Sequence, residues 1–98
     1  MTELKRVQSI LANHMDELRE TYGVGELGIF GSVARGEEET NDVDIVVTFT
    51  GKATLITLVQ LKERLTELTE SNVDVVTKNG LKNMIRDEIL RETRYVEA

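Results

Sequence analysis

One segment of the sequence places two carboxylates at the start of a run of β-branched residues. Residues 42–47 read Asp-Val-Asp-Ile-Val-Val, and the apolar run continues to Phe49. Val and Ile favour a buried central strand, whereas aspartate is depleted from strands. The segment therefore predicts a strand over 43–49 that begins beside Asp42 and Asp44. Side chains two apart on a strand point to the same face, so these carboxylates are expected about 6.5–7 Å apart on one face of a sheet.

The rest of the chain alternates helical and extended patterns around this strand. Apolar spacing predicts helices at about 2–22, 55–69 and 80–92, and β-branched runs predict strands near 27–30 and 72–77. The helical stripes consist of Leu4, Val7, Leu11, Met15, Leu18 and Tyr22, then of Leu58, Leu61, Leu65 and Leu68, and finally of Leu81, Met84, Ile85 and Ile89. Helices interleaved with strands predict a layered α/β or α+β fold, with one covered sheet face. The patterns leave open whether the strands at 43–49 and 72–77 run parallel or antiparallel.

Length and charge limit the function classes. The 98 residues suffice for one compact domain, expected to span 1–98, and are too few for two. The net charge of −6 disfavours direct, sequence-independent binding of nucleic acid. The chain has no cysteine, no apolar run long enough to cross a membrane and no signal-peptide pattern at its start. These features predict a cytoplasmic protein without a membrane partner.

A third aspartate, Asp74, interrupts the later strand pattern Asn-Val-Asp-Val-Val-Thr at 72–77. If this strand pairs with the one at 43–49, Asp74 comes within about 5 Å of Asp42 and Asp44. Three carboxylates at that spacing favour a cation between them, and hard oxygen ligands suit Mg²⁺. Any one aspartate could be a strand-end or turn residue, and for the pair Asp42 and Asp44 alone the two interpretations are equally balanced. The addition of Asp74 favours a metal site. Two such ions can clamp the attacking and leaving oxygens of a phosphoryl transfer.

A Gly-Ser pair follows the first predicted strand and precedes a short helical turn. Gly31 and Ser32 would let the backbone approach a phosphate, which the N–H groups and the serine hydroxyl could hold. The pair alone is a common tight turn and is weak evidence. Arg35 could steady a polyphosphate or pair with the acidic loop that follows it. We favour the structural role for Arg35 slightly over substrate contact.

These motifs together resemble a known family. Residues 31–36, Gly-Ser-Val-Ala-Arg-Gly, are followed after five residues by Asp-Val-Asp-Ile-Val-Val, a combination similar to the signature of the DNA polymerase β-type nucleotidyltransferases. The whole chain resembles the minimal nucleotidyltransferases (MNT), the antitoxin partners of HEPN-domain toxins, and the similarity extends to 61–65, 73–76 and 89–92. One departure is Asn41, where these proteins usually carry serine.

The resemblance implies a fold and a chemistry. The fold would be a polymerase-β-like nucleotidyltransferase, with a small mixed sheet flanked by helices. ATP would be the substrate, with two Mg²⁺ ions held by Asp42, Asp44 and Asp74 as catalytic and metal-binding residues. Asp74 would also help to activate the attacking hydroxyl. Gly31 and Ser32, with Arg35 as a further candidate, would bind the nucleotide.

Three functions are compatible with these sequence features. The first is an antitoxin enzyme that transfers AMP from ATP to a tyrosine hydroxyl of a partner HEPN ribonuclease toxin. The alternative is a non-catalytic module that neutralises the partner by contact, through surfaces such as Leu90, Tyr95 and Val96. A nucleic-acid-modifying transferase is disfavoured by the net charge of −6. The three clustered aspartates favour the enzyme, since a pure binder has no need of them. A homo- or hetero-oligomer is compatible with either of the first two.

Overall fold

The structure, a computed structural model, describes residues 2–37 and 42–97, apart from the side chain of Met84. The elements are α1 (Glu3–Asn13), α2 (Met15–Tyr22), β1 (Val24–Phe30), α3 (Gly31–Ala34), β2 (Asp42–Phe49), α4 (Leu55–Thr69), β3 (Asn72–Thr77), a 3₁₀ turn (Lys78–Gly80), α5 (Asn83–Glu92) and β4 (Arg94–Tyr95). Most of the acidic loop expected after Arg35, including Asn41, lies outside the described residues. None of the helices in the described ranges is long and apolar enough to cross a membrane.

The four strands form one mixed sheet in the order β3-β2-β1-β4. β2 and β3 run parallel, joined by the crossover through α4, whereas β1 pairs antiparallel with both β2 and β4. This confirms the predicted mixed sheet flanked by helices, and it decides the relation between β2 and β3 that the sequence left open. β1 begins at Val24, three residues earlier than predicted, through an irregularity between Val24 and Glu26.

The core lies between one face of this sheet and the long helices. Val43, Ile45 and Val47 of β2 are all buried in the core, whereas Asp44 lies on the alternate, opposite face. Leu61 and Leu65 of α4 are also fully buried, as their predicted stripe requires. Each such side chain contributes about 1.5–3 kcal/mol when it leaves water. This burial fixes the register of β2, because a slip of one residue would bring its aspartates into the core.

The predicted first helix is two helices, and this part of the prediction was wrong. The chain breaks at His14, whose N–H donates to the carbonyl of Leu11, 3.1 Å away, three residues back rather than four. The His14 side chain instead binds the carbonyl of Ile10, with Nδ1 at 2.8 Å from the oxygen. The apolar stripe continues across the break, so the core contacts that the pattern predicted are kept.

The C-terminal region also departs from the predicted helix at 80–92. The helix begins only at Asn83, because Lys78–Gly80 forms a 3₁₀ turn in which the Thr77 hydroxyl accepts from the N–H of Gly80 at 3.0 Å. The prediction that Ile85 lies on the buried face of this helix was wrong, because this residue is 47% exposed.

The C-terminal segment forms a short strand at the edge of the sheet. β4 places Tyr95 opposite Gly28 on β1. A Cβ atom at Gly28 would collide with the Thr93 methyl group and lie 3.3 Å from the Tyr95 ring, so the glycine is what lets the C-terminal segment approach β1. Val96, for which the sequence left docking on a partner open, is buried at 8% exposure, and its N–H donates to the carbonyl of Leu27 at 2.8 Å.

Candidate active site

The parallel pairing of β2 and β3 brings two of the three aspartates side by side. Asp44 is the register partner of Asp74, and Asp42 is the partner of Asn72. Paired residues of neighbouring strands lie about 4.8 Å apart in the hydrogen-bonding direction and share a face. Asp42 lies two residues before Asp44 and therefore on that same face. All three carboxylates thus belong to one end of one sheet face, with Asp44 in the middle.

The charge around Asp44 is strongly negative. Burial raises the pKa of the Asp44 carboxyl, and the nearby charges of Asp74, Asp42 and Glu92 raise this pKa further. The guanidinium of Arg35 opposes them by lowering it. A half-buried carboxyl surrounded by like charges is a position where a bound cation would be favourable.

Gly31 connects the glycine-serine turn to this carboxyl. Its φ of +75° lies in the left-handed region, which a residue with a side chain adopts only at a cost. A Cβ atom here would also collide with Oδ2 of Asp44. Glycine is therefore required twice, by the backbone and by the packing. The Gly-Ser turn and the first aspartate pair, separate motifs in the sequence, are in direct contact in the fold.

The N–H of Gly31 already has a partner that the sequence reasoning did not single out. It donates to Oε1 of Glu92 at 3.0 Å, across 61 residues of chain. A phosphate could take this N–H only by displacing Glu92. Ser32, the other predicted phosphate ligand, follows in the same turn and is half-buried. The only sequence signal for Glu92 was its place in residues 89–92, one of the segments in which the chain resembles the minimal nucleotidyltransferases.

Arg35 lies at the end of this turn between two glutamates. Its Nε donates to Glu37 at 2.7 Å, and its Nη1 donates to Oε2 of Glu92 at 3.1 Å. Side-chain hydrogen bonds from Arg35 to Glu37 and then to Glu92 raise the pKa of the guanidinium, so it remains charged. These contacts agree with the structural role favoured for Arg35.

A cavity of about 400 Å³ opens beside Asp44 and Asp74. Its other lining residues are the apolar side chains of Phe30, Leu58, Val59, Val75 and Val76 and the cation Lys62. Lys62 Nζ lies 4.0 Å from Oδ1 of Asp74, an exposed pair of small energetic value. The cavity therefore combines apolar walls with two carboxylates.

The donor set fits Mg²⁺ by its chemistry. Asp42, Asp44 and Asp74 offer only oxygen atoms, which this ion prefers, and burial together with the like charges of its neighbours raises the pKa of Asp44. Within residues 2–37 and 42–97, no three His, Asp or Glu side chains are already gathered closely enough to hold a metal ion. Mg²⁺ is usually bound by only one or two carboxylates, and water and substrate phosphates supply its other ligands.

Comparison with known proteins identifies the family. The nucleotidyltransferase domain model matches residues 11–96. The protein adenylyltransferase MntA of Thermococcus cleftensis is 45% identical over 97 residues, covering 98% of each chain. The match therefore extends over both aspartate strands and the glycine-serine turn.

Solved structures agree with this assignment. One described as a minimal nucleotidyltransferase superimposes with a TM-score of 0.77 at 34% identity, covering 96% of this chain and 95% of that one. Two more distant structures share the fold, a toxin-antitoxin with AMP-PNP (TM-score 0.70, 20% identity, 87% and 71% of the chains) and a tri-AMPylated Shewanella oneidensis HEPN toxin in complex with MNT antitoxin (0.65, 19%, 91% and 71%). The chain belongs to the nucleotidyltransferase domain family and is a minimal nucleotidyltransferase related to the protein adenylyltransferase MntA.

Proposed function

We propose that the protein transfers AMP from ATP to a tyrosine hydroxyl of a partner HEPN ribonuclease toxin. The observation that carries the proposal is the pairing of Asp44 with Asp74 in direct contact with the Gly31 turn. The two carboxylates that we propose to bind metal therefore lie beside the turn that the family resemblance assigns to the triphosphate. The transferase character of the family and its adenylyltransferase relative support this reading.

Each residue has a distinct part in this reaction. Asp42, Asp44 and Asp74 would hold two Mg²⁺ ions, which when bound neutralise charge on the phosphates and on the attacking and leaving oxygens. Ser32 would hold the triphosphate, within a turn shaped by Gly31. Asp74 would accept or orient the proton of the attacking hydroxyl, which is mostly protonated near pH 7 because a free tyrosine has a pKa of about 10.

The cavity beside Asp74 supports an aromatic acceptor. In-line displacement requires the attacking oxygen to lie opposite the leaving pyrophosphate. The cavity is lined by Asp44 and Asp74, and also by Phe30, the residue that precedes the Gly31 turn. Its apolar walls suit the ring of a tyrosine whose hydroxyl reaches the carboxylates. The acceptor would be presented by the partner on an exposed segment.

The partner and the consequence follow from the same chemistry. The Shewanella oneidensis complex joins an MNT antitoxin to an AMPylated HEPN toxin, which supports a partner of this class for the present chain. AMP adds a phosphodiester charge and a bulky base, which would block an RNA-cleaving site by repulsion and occlusion. We place this reaction in the cytoplasm, in one domain spanning 1–98, without direct nucleic-acid binding by this chain.

Neutralisation by contact alone is the second candidate. Exposed apolar residues such as Tyr95 could contact a partner, but Val96 is buried and cannot contribute a docking surface. A purely binding module also gives no reason for Asp44 to remain half-buried at a raised pKa among like charges. We therefore favour the enzyme.

Removing Mg²⁺ is expected to weaken ATP binding by at least about tenfold, because the aspartates then repel the triphosphate without compensation. The measurement is calorimetric titration of ATP with Mg²⁺ and then with excess chelator. The Asp42→Asn, Asp44→Asn double variant should lose most of this dependence on Mg²⁺. Asp16→Asn is the matched control, since Asp16 is exposed on α2, a helix whose buried residues belong to the core. Equal ATP affinity with and without Mg²⁺ in the wild type would contradict the metal site.

A further inference from the structure

Glu92 holds two parts of the candidate nucleotide site from the other end of the chain. Its Oε1 accepts from the N–H of Gly31 at 3.0 Å, and its Oε2 accepts from Nη1 of Arg35 at 3.1 Å. Both contacts involve one carboxylate whose side chain is only 29% exposed. A charge-assisted hydrogen bond to a backbone N–H is among the stronger polar contacts in proteins. Glu92 therefore fixes the start and the end of the α3 turn at once.

The sequence around Glu92 fixes where this carboxylate lies. Glu92 is the last residue of α5, and the Thr93 hydroxyl that follows donates to the carbonyl of Ile89 at 2.6 Å. Thr93 is itself buried against Gly28, and the next residues pair with β1 as β4. β1 leads directly into the α3 turn, and it also pairs with β4, which follows Glu92. The same strand therefore positions both the Gly31 turn and Glu92.

The placement has an electrostatic cost. The charge of Glu92 raises the pKa of Asp44, so this carboxylate lies close enough to act on a site that already holds three aspartates. A fourth negative charge there opposes the binding of a triphosphate by Coulomb repulsion. Arg35 compensates part of it, since it contacts Glu92 and lowers the pKa of Asp44. The benefit of this charge is the strong hydrogen bond that Glu92 accepts from the N–H of Gly31.

We propose that Glu92 is a positioning residue of the nucleotide site, which holds the α3 turn and Arg35 in place beside Asp44. This inference rests on the proposed nucleotidyltransferase function. Glu92 touches neither nucleotide nor acceptor in this account and acts through Gly31 and Arg35. Its loss would leave the turn free to move away from Asp44, so that Ser32 would meet the triphosphate in the wrong place.

Glu92→Ala, Glu92→Gln and the control Glu88→Gln test the role in the full-length chain. Glu88 is exposed one turn earlier on the same helix. The probe is Mg-ATP, and its dissociation constant is measured by calorimetry. We expect Glu92→Ala to weaken binding about tenfold, the scale of one charge-assisted hydrogen bond. Glu92→Gln should weaken it only about twofold to threefold, because the amide oxygen still accepts from Gly31, and Glu88→Gln should match the wild type.

The Gly31 amide signal in a ¹⁵N-correlated NMR spectrum reports the contact independently of nucleotide. It should shift strongly in Glu92→Ala, weakly in Glu92→Gln and not in Glu88→Gln. If Glu92→Ala does not fold, Glu92→Gln still tests the role through both measurements. Wild-type affinity in the Glu92 variants would overturn the positioning role alone. Tighter binding would also overturn it, by showing that the carboxylate competes with phosphate. A wild type that does not bind Mg-ATP would overturn the proposed function itself.

Discussion

Replacing Asp44 by asparagine is expected to reduce AMP transfer to the partner by about a thousandfold or more while the protein stays folded. Asp44 is the central carboxylate of the site, because Asp42 flanks it on its own strand and Asp74 on the next. Asparagine removes its charge but has nearly the same volume. The measurement is the rate of AMP incorporation under saturating Mg-ATP. Asp16→Asn should retain the wild-type rate, and an Asp44→Asn variant with wild-type transfer would contradict the site.

The same variant is expected to be more stable than the metal-free wild type at pH 7. The pKa of Asp44 is raised in the folded state, so the folded protein binds this proton more tightly than the unfolded chain does. The contribution of Asp44 to stability is therefore greatest at low pH and is lost as the pH rises through its folded pKa. Thermal unfolding should show a higher Tm for Asp44→Asn at pH 7, and the difference should shrink near pH 3. A higher Tm for the wild type at pH 7 would contradict this assignment.

Replacing Gly31 by alanine is expected to lower AMP transfer by roughly a hundredfold, the effect of a misplacement of about 1 Å at a reacting centre. The new methyl group would collide with the Asp44 carboxylate and push it out of line with Asp74. The positive φ of Gly31 adds backbone strain, so the free energy of unfolding should also fall by about 1–3 kcal/mol. Transfer rates and denaturant unfolding measure the two effects.

Gly36→Ala separates the collision from the strain. Gly36 has the same φ of +75°, but a Cβ atom there meets no atom of the described residues within 4 Å. Its substitution should cost about 1 kcal/mol of stability through strain while leaving transfer close to wild type. If Gly36→Ala impaired transfer as severely as Gly31→Ala, the loss would be due to loop strain, and the contact between Gly31 and Asp44 would not be its cause.

The strands and the positions of their aspartates could be predicted because local pattern and chemistry agree there, whereas the pairing of β2 with β3 was only a condition of the predicted site. The β-branched run of β2 favours burial as a central strand between two neighbouring strands. Its aspartates are then expected at the exposed end of that run. The stripe of α4 likewise predicted its bounds, 55–69, as observed. In each of these elements, one physical requirement dominates the choice of conformation.

The structure differs from the sequence-based predictions where a single side-chain contact determines the backbone conformation. The apolar stripe of residues 2–22 is continuous, so it could not reveal that the His14 imidazole would bind the carbonyl of Ile10 and break the helix. The 3₁₀ turn before α5 depends in the same way on the Thr77 hydroxyl. Glu92 could not be found from spacing, because its partners Gly31 and Arg35 are about 60 residues away and meet it only through the pairing of β4 with β1.

The most direct test of the account is mass spectrometry of a HEPN partner after incubation with this protein and Mg-ATP. We expect the partner to gain one or more AMP groups, with fragment spectra placing them on a tyrosine. Incubation with Asp44→Asn should leave the partner unmodified. If the wild type leaves the partner unmodified, and Asp44→Asn binds and silences its ribonuclease activity as fully as the wild type does, the protein neutralises by contact and the catalytic account is wrong.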